Sequence, residues 1–289
     1  MKSIIFVIDL STIARTTCRL RDRFGGNTLK VIIRKIYQTR YFWSHLVRAE
    51  LKNKFRRSKL GILWTFMNPL LLTALMSTVF GTVFNMSFAD YAPYVLSGLI
   101  VWELISSSFI GGGYSIMTGE QYIRQFNHPV IIYTLRSALV FTITFVIAML
   151  SLGFWMLIVS PANVILGLIT LPLTTLLYFC LSWAITTIAG FTNAKYRDYP
   201  QVMALVIQAV WYVSPVFFKK DMFTTNPTLE ALFNLNPITH ILNLIRDPFL
   251  NGVMPTITDY LYTLGTILVF SLWAGSIYKK NSRKVIFYL

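Results

Sequence analysis

The sequence predicts an all-α integral membrane protein with six transmembrane helices, an amphipathic interface helix before the first and re-entrant external helices before the last. Three observations lead there. Residues Ile62 to Asn85 form a charge-free run of 24 residues, and about 20 apolar residues in a helix cross the hydrocarbon. The 289 residues are 55% hydrophobic and only 13% charged, with mean hydropathy +0.59, whereas a soluble domain carries about 25% charged residues. Lys and Arg are also distributed unevenly between the loops.

In chain order, residues 1–35 form a cytoplasmic N-terminal extension. The apolar run at 4–8 starts like a signal peptide, but Asp9 ends it too early. Arg19, Arg21 and Arg23 suit anionic lipid. Residues 36–60 are the interface segment, with a helix over Ile36 to Arg57. There Trp43, Leu46, Val47, Leu51 and Phe55 share one side, opposite Arg48, Lys52 and Arg56. Glu50 and Lys54 interrupt the apolar side, although at i,i+4 they can pair. The plain alternative is a basic flank that only orients the first span. A pattern of six turns exceeds what orientation requires, which favours a helix lying in the interface plane, anchored by Phe42 and Trp43.

The spans run over about 62–85, 92–117, 130–159, 163–191, 201–218 and 260–278, with a C-terminal tail at 279–289. Ser160-Pro161-Ala162 separates the third and fourth and fits a tight turn. Placing both termini inside puts 23 of the 26 Lys and Arg on the cytoplasmic side, leaving Lys219, Lys220 and Arg246 outside. This satisfies the positive-inside bias at every loop.

Several classes are excluded. The net charge of +15 would point to nucleic acid in a soluble protein, but here it flanks membrane segments. Cys18 and Cys180 fall in the tail and a span, so no disulfide is expected. His45, His128 and His240 are scattered and form no metal constellation. No Gly-x-x-x-x-Gly-Lys-Ser/Thr run offers a phosphate site.

Two connections carry further information. Thr118 to Pro129 is short and polar, either a plain turn or a pair of helical turns that project toward a soluble partner. In the long external loop, Ile238, Ile241, Leu242 and Ile245 recur at helical spacing after Asn236-Pro237. The segment is too short to cross, so it dips into the outer leaflet, where protein or water must shield its backbone.

Four motifs occur in order: Arg57-Ser58-Lys59-Leu60-Gly61-Ile62-Leu63-Trp64 with Asn68-Pro69; Tyr122-Ile123-Arg124 through Pro129; Tyr196-Arg197-Asp198 leading to Ser214-Pro215-Val216-Phe217; and Asn236-Pro237 to Arg246. Together, over residues 36–280, they resemble the permease subunit of ABC transporters that export polysaccharides such as O-antigen, capsule or teichoic acid. The resemblance implies a homodimer in the bacterial inner membrane with two separate cytoplasmic ATPase subunits, which bind the ATP and Mg; this chain would hold no cofactor and no catalytic site. It also implies that Gly119, Glu120, Gln121, Tyr122, Ile123, Arg124, Gln125, Phe126 and Asn127 form the coupling helix. The glycan path would lie between protomers, along spans one and five.

Aromatic faces bind sugars without fixing them, and these spans supply Trp64, Phe66, Phe80, Phe84, Trp211, Tyr212, Phe217 and Phe218. The alternative is that they are lipid-facing or belt aromatics. Glu103 and Arg136 are the only charges inside spans, too few for an ion-coupled carrier. Arg136 lies about two turns from a span end and is expected to snorkel; the role of Glu103 stays open. The leading function is export of lipid-linked polysaccharide, of O-antigen or capsule type. Teichoic acid export is the alternative within the family. A membrane-embedded transferase for lipid-linked sugars is the alternative outside it, and would need clustered acids or His.

The charge asymmetry generates a test of orientation. External labelling is expected to modify a cysteine placed by Thr225→Cys and to spare one placed by Gln125→Cys. The opposite pattern would overturn the topology.

Overall fold

A computed structural model describes residues 28–56, 59–126, 128–219, 233–282 and 284–289. Outside the described residues lie the first 27 of the expected extension, Arg57 and Ser58 of the first motif, and Asn127 of the expected coupling helix. Residues 220–232 of the long loop and Arg283 are outside them too. Every element named among the described residues is helical.

The chain divides between Phe42 and Trp43 into two compact units. In the first, α1 (Thr28–Gln38) ends at Thr39, and α2 (Arg40–Arg56) begins directly after it. The helix expected to start at Ile36 and run unbroken therefore begins earlier and is interrupted. The Thr39 hydroxyl donates to the carbonyls of Lys35 (2.9 Å) and Ile36 (3.2 Å), competing with continuation of the helix. The Arg40 guanidinium lies 4.5 Å from the rings of both Tyr37 and Tyr41 and fixes the new start. In sequence, the cleaner apolar stripe belongs to α1, with Leu29, Ile32, Ile33 and Ile36 at helical spacing.

Among the described residues, the second unit contains five helices long and apolar enough to cross a membrane: α3 (Leu63–Val83), α4 (Phe88–Phe109, continued by a 3-10 turn to Tyr114), α6 (Ile131–Val159), α7 (Pro161–Lys195) and α10 (Ile257–Asn281). Between α4 and α6 lies the short α5 (Glu120–Gln125). Ser160 alone separates α6 from α7, and Pro161 starts α7 where its missing N–H costs nothing. The apolar stretch 201–218 behaves differently from the other five. Its helix, α8, spans Tyr199–Val213, only 15 residues or about 22 Å, short of the roughly 30 Å of hydrocarbon. Pro215 and the extended Ser214 end it.

The segment after Asn236 is helical, as α9 (Pro237–Arg246), and sits inside the bundle rather than on its surface. Asn236 caps it, its side chain accepting from the Ile238 N–H at 2.9 Å. Ile241, Leu242, Leu244 and Ile245 join Leu96, Leu104, Phe145, Leu152, Tyr178 and Leu181 in one core. The Tyr178 hydroxyl donates to the Ile241 carbonyl. A π-type turn, Asp247–Asn251, then places Phe249 against Gly167 and closes at Gly252, whose φ of 66° is left-handed.

Small residues allow the closest approaches. Thr73, Ser77 and Gly81, four apart, are the buried face of α3 against α4. The outer faces of α3 and α10 carry Leu71, Leu75, Val79, Leu261, Leu268 and Leu272, all exposed. Such continuous apolar surface is suited to lipid or to another protein.

At Gly98 on α4, a Cβ would collide with the Val216 carbonyl and come within 2.8 Å of the Arg246 guanidinium. Gly98→Ala is therefore expected to lower stability by about 1–3 kcal/mol, the usual cost of overpacking. Gly265→Ala on α10, where a Cβ meets nothing within 4 Å, is expected to be neutral or stabilising. Detergent melting temperature and membrane abundance of both variants check this pair.

Candidate functional site

A cavity of about 690 Å³ lies among α3, α4, α6, α8 and the end of α2, within the 300–1,000 Å³ or so of typical ligand pockets. Trp64, Thr65 and Asn68 of α3 face Trp102, Glu103, Ser106 and Ser107 of α4 across it. Thr144 of α6 and Gln208 and Trp211 of α8 complete the wall. Lys54 reaches it from α2, donating to the Thr144 hydroxyl at 3.4 Å. Glu103 accepts from Ser107 one turn on, at 3.0 Å, and is exposed to the cavity. Its side chain thus lines the cavity and is not packed into the core. Indole faces beside hydroxyl, amide and carboxylate groups suit a ligand with both C–H faces and hydroxyls.

The eight aromatics singled out on spans one and five separate into groups. Trp64 and Trp211 line the cavity. Phe66 is half-buried and is not among its lining residues. Tyr212 is exposed and packs edge-on against Trp211, with centroids 5.1 Å apart. Phe80, Phe84, Phe217 and Phe218 gather at the α9 end of the bundle in a packed cluster with Tyr91. Phe80 and Phe217 are 5.4 Å apart and Phe217 and Phe218 are 4.1 Å apart. Tyr91 and Tyr94 donate to the carbonyls of Phe217 and Phe218, each at 2.7 Å. Phe217, at 4% exposure, offers no ring face to a passing molecule in this conformation. Membership of a span was readable in the sequence; the face each ring occupies was not.

At the opposite end, α4 continues through 3-10 turns at Gly111–Tyr114 and Met117–Gly119 into α5. Two residues anchor α5: Ile123 is buried, and Gly119 lies so close to Tyr133 that a Cβ would sit 2.5 Å from the ring. Gln121, Tyr122, Arg124, Gln125 and Phe126 are exposed. Glu120 and Arg124 pair at 2.9 Å across one turn. Phe126 leaves the helix in extended conformation and stacks on His128 at 5.8 Å.

Arg136 does not snorkel. It is buried, at 6% exposure, and its Nε lies 2.8 Å from a Glu50 carboxylate oxygen of α2. Its Nη2 donates to the Thr118 hydroxyl at 2.6 Å and to the Ser115 carbonyl at 3.4 Å. One guanidinium thus joins α2, α6 and the turns that lead into α5. The expected Glu50–Lys54 pairing gives way to this contact, because a buried cation requires a counter-charge more than a surface lysine does. Sequence reading also missed Asn193, which donates to the Gly113 carbonyl at 2.9 Å, and Arg197, which donates to the Tyr288 carbonyl of the C-terminal tail at 3.0 Å. The Tyr196-Arg197-Asp198 motif was the available signal for the latter.

A multi-pass helical membrane protein with a cavity lined by aromatic and polar side chains between its helices and an exposed short helix at one end is a transporter-like arrangement. Residues 41–250 match the ABC-2 type transporter family model, and the chain belongs to that family. It is similar to the O-antigen export system permease protein RfbA of Myxococcus xanthus, with 24% identity over 255 residues, 85% of this chain and 94% of the relative. It is also similar to an RfbA of Klebsiella pneumoniae, 22% identical over 240 residues, 82% of this chain and 92% of that one. A third relative is the polysialic acid transport protein KpsM of Escherichia coli, 22% identical over 236 residues, 78% of this chain and 86% of that one.

The Arg136 node gives an asymmetric expectation. Glu50→Gln leaves a buried cation without its counter-charge and is expected to cost about 1–3 kcal/mol. Arg136→Met leaves a carboxylate that is 36% exposed and can be hydrated, so it should cost less. In the double variant part of the Glu50→Gln loss should return. Thermal unfolding of the three variants measures the order.

Proposed function

We propose that this chain is the transmembrane subunit of an ATP-driven exporter that moves lipid-linked polysaccharide, of O-antigen or capsule type, out of the cytoplasm across the bacterial inner membrane. The observation that carries this is the aromatic and hydroxyl-lined cavity along α3 and α8 in a chain whose relatives are polysaccharide permeases. A hydrated, weakly binding wall lets a long glycan advance by small steps.

Six spans result when α8 and the Ser214–Phe218 segment together serve as the fifth, with both termini and α5 on the cytoplasmic side. The apolar outer faces of α3 and α8, with Leu71, Leu75, Val202, Leu205 and Val213 exposed, suit pairing with a second copy, so that two cavities border a shared path. Membrane lipids cover the rest. The exposed face of α5 is the dock for each of two ATPase subunits, which supply ATP and Mg chemistry; this chain contributes no catalytic group. Transport is favoured over a transferase because the acid that contacts His240 beside α9 is already engaged. Asp259 already accepts from His240 (2.8 Å), Asn243 (3.1 Å) and Thr256, which leaves it a structural role.

A strain lacking this gene, complemented by variants, provides the test. Wild type should restore surface glycan. Trp64→Ala with Trp211→Ala should slow export more than either alone, since an aromatic contact is worth about 0.5–1.5 kcal/mol, at unchanged permease abundance. Changing Glu120, Tyr122 and Arg124 together to Ala should weaken assembly with the ATPase and abolish export. Normal assembly and export in that triple variant would reduce α5 to a connecting turn.

A further inference from the structure

A second cavity, of about 430 Å³, opens at the α9 end and shares no lining residue with the first. Its polarity follows from the sequence of α9. Ile241, Leu242, Leu244 and Ile245 enter the core, while the adjacent Thr239 and His240, then Asn243 three on from His240 and Asp247 four further, line the cavity. Asp90 and Tyr94 of α4, Lys219 after α8 and Asn251 after α9 complete it.

The donors already in use identify the ligand chemistry. Arg246, at 5% exposure, has no N–H to spare. Its five N–H groups go to the carbonyls of Pro215 and Val216 (2.7 Å each), the Tyr94 hydroxyl (2.9 Å), Ser97 Oγ (3.3 Å) and the Tyr94 carbonyl (3.4 Å). His240 is held between Asp259 (2.8 Å) and the Asn234 carbonyl (2.9 Å). Among the described lining residues, the cations Lys219 and Arg246 balance the carboxylates of Asp90 and Asp247, so an incoming phosphate would gain no net attraction and would find no Arg246 N–H left to hold it. A neutral sugar would meet carboxylates with lone pairs to spare, since Asp90 accepts from Ser87 (2.6 Å) and Asp247 from Asn251 (3.1 Å) through single oxygens. Side chains with two hydrogen-bonding atoms can bridge adjacent hydroxyls.

We infer that this cavity is a binding site for a short neutral segment of carbohydrate. The assignment rests on the export reading and adds to it a holding site outside the Trp64–Trp211 chamber, one in each protomer. Its position beside the Arg246-held end of α8 would make backward slippage of an emerging glycan less favourable.

Full-length permease in lipid nanodiscs is the material for the test. The probe is the oligosaccharide released by mild acid from the surface polysaccharide of the strain that carries the gene, with inorganic pyrophosphate as the anionic comparison. Calorimetry should show oligosaccharide binding and no pyrophosphate binding. Ala89→Trp, at an exposed lining position, should fill the cavity and weaken oligosaccharide binding about tenfold or more. A separate measurement needs no filled cavity: with Cys18→Ser and Cys180→Ser, Asn251→Cys should react with a maleimide, and the oligosaccharide should slow that reaction. Equal affinity in wild type and Ala89→Trp, unprotected labelling, or binding of pyrophosphate alone would each overturn the site. The export reading would survive those results if the wild-type gene restores surface glycan in the deletion strain, and would fall separately if it does not.

Discussion

Arg246 holds together the place where the helices stop. In lipid every backbone polar group needs a partner within the protein, and the end of α8 at Ser214-Pro215 breaks the helical ladder. The guanidinium supplies what the ladder lacks, donating to the Pro215 and Val216 carbonyls while its Cζ lies 3.6 Å from the Tyr94 ring centroid. Gly98 makes room for this contact, and α9 must enter the bundle to deliver it. The burial of α9, the bend after α8 and the aromatic cluster of Phe217 and Phe218 all depend on that one set of hydrogen bonds. A lysine could not replace it, because only a planar fork reaches several acceptors at once.

The other end of the bundle is organised around a second guanidinium. Arg136 connects α2 through Glu50 to the turns that lead into α5. One turn further along α2, Lys54 touches Thr144 at the wall of the large cavity. The exposed helix α5 and the chamber are therefore linked through a single helix and two polar contacts. The Arg136 side of this link is buried, where a misplaced charge is costly, and the Lys54–Thr144 contact is exposed.

The two cavities have different chemistry for a physical reason. The larger one is walled by indole rings and small polar groups along long helices, so it presents a smooth, undirected surface. The smaller one is built on α9, whose amphipathic spacing brings charged and amide groups together on one side.

The sequence by itself determined the membrane class and five of the six long apolar helices expected from it, because crossing hydrocarbon demands length and apolarity that no other environment enforces. It also determined the helical start at Asn236-Pro237 and the turn at Ser160-Pro161, where local backbone chemistry decides. The tertiary structure alone decided which side of each helix is used. Trp64 and Phe66 are two residues apart, yet only Trp64 lines the chamber, since hydrophobic periodicity is weak in a helix that is apolar on every side. The structure also decided the fate of the charges. Arg136 lies close enough to a span end to reach water, but Glu50, 86 positions earlier in the chain, makes the buried position favourable. A long-range counter-charge leaves no mark on local sequence pattern, so only the packed structure reveals it.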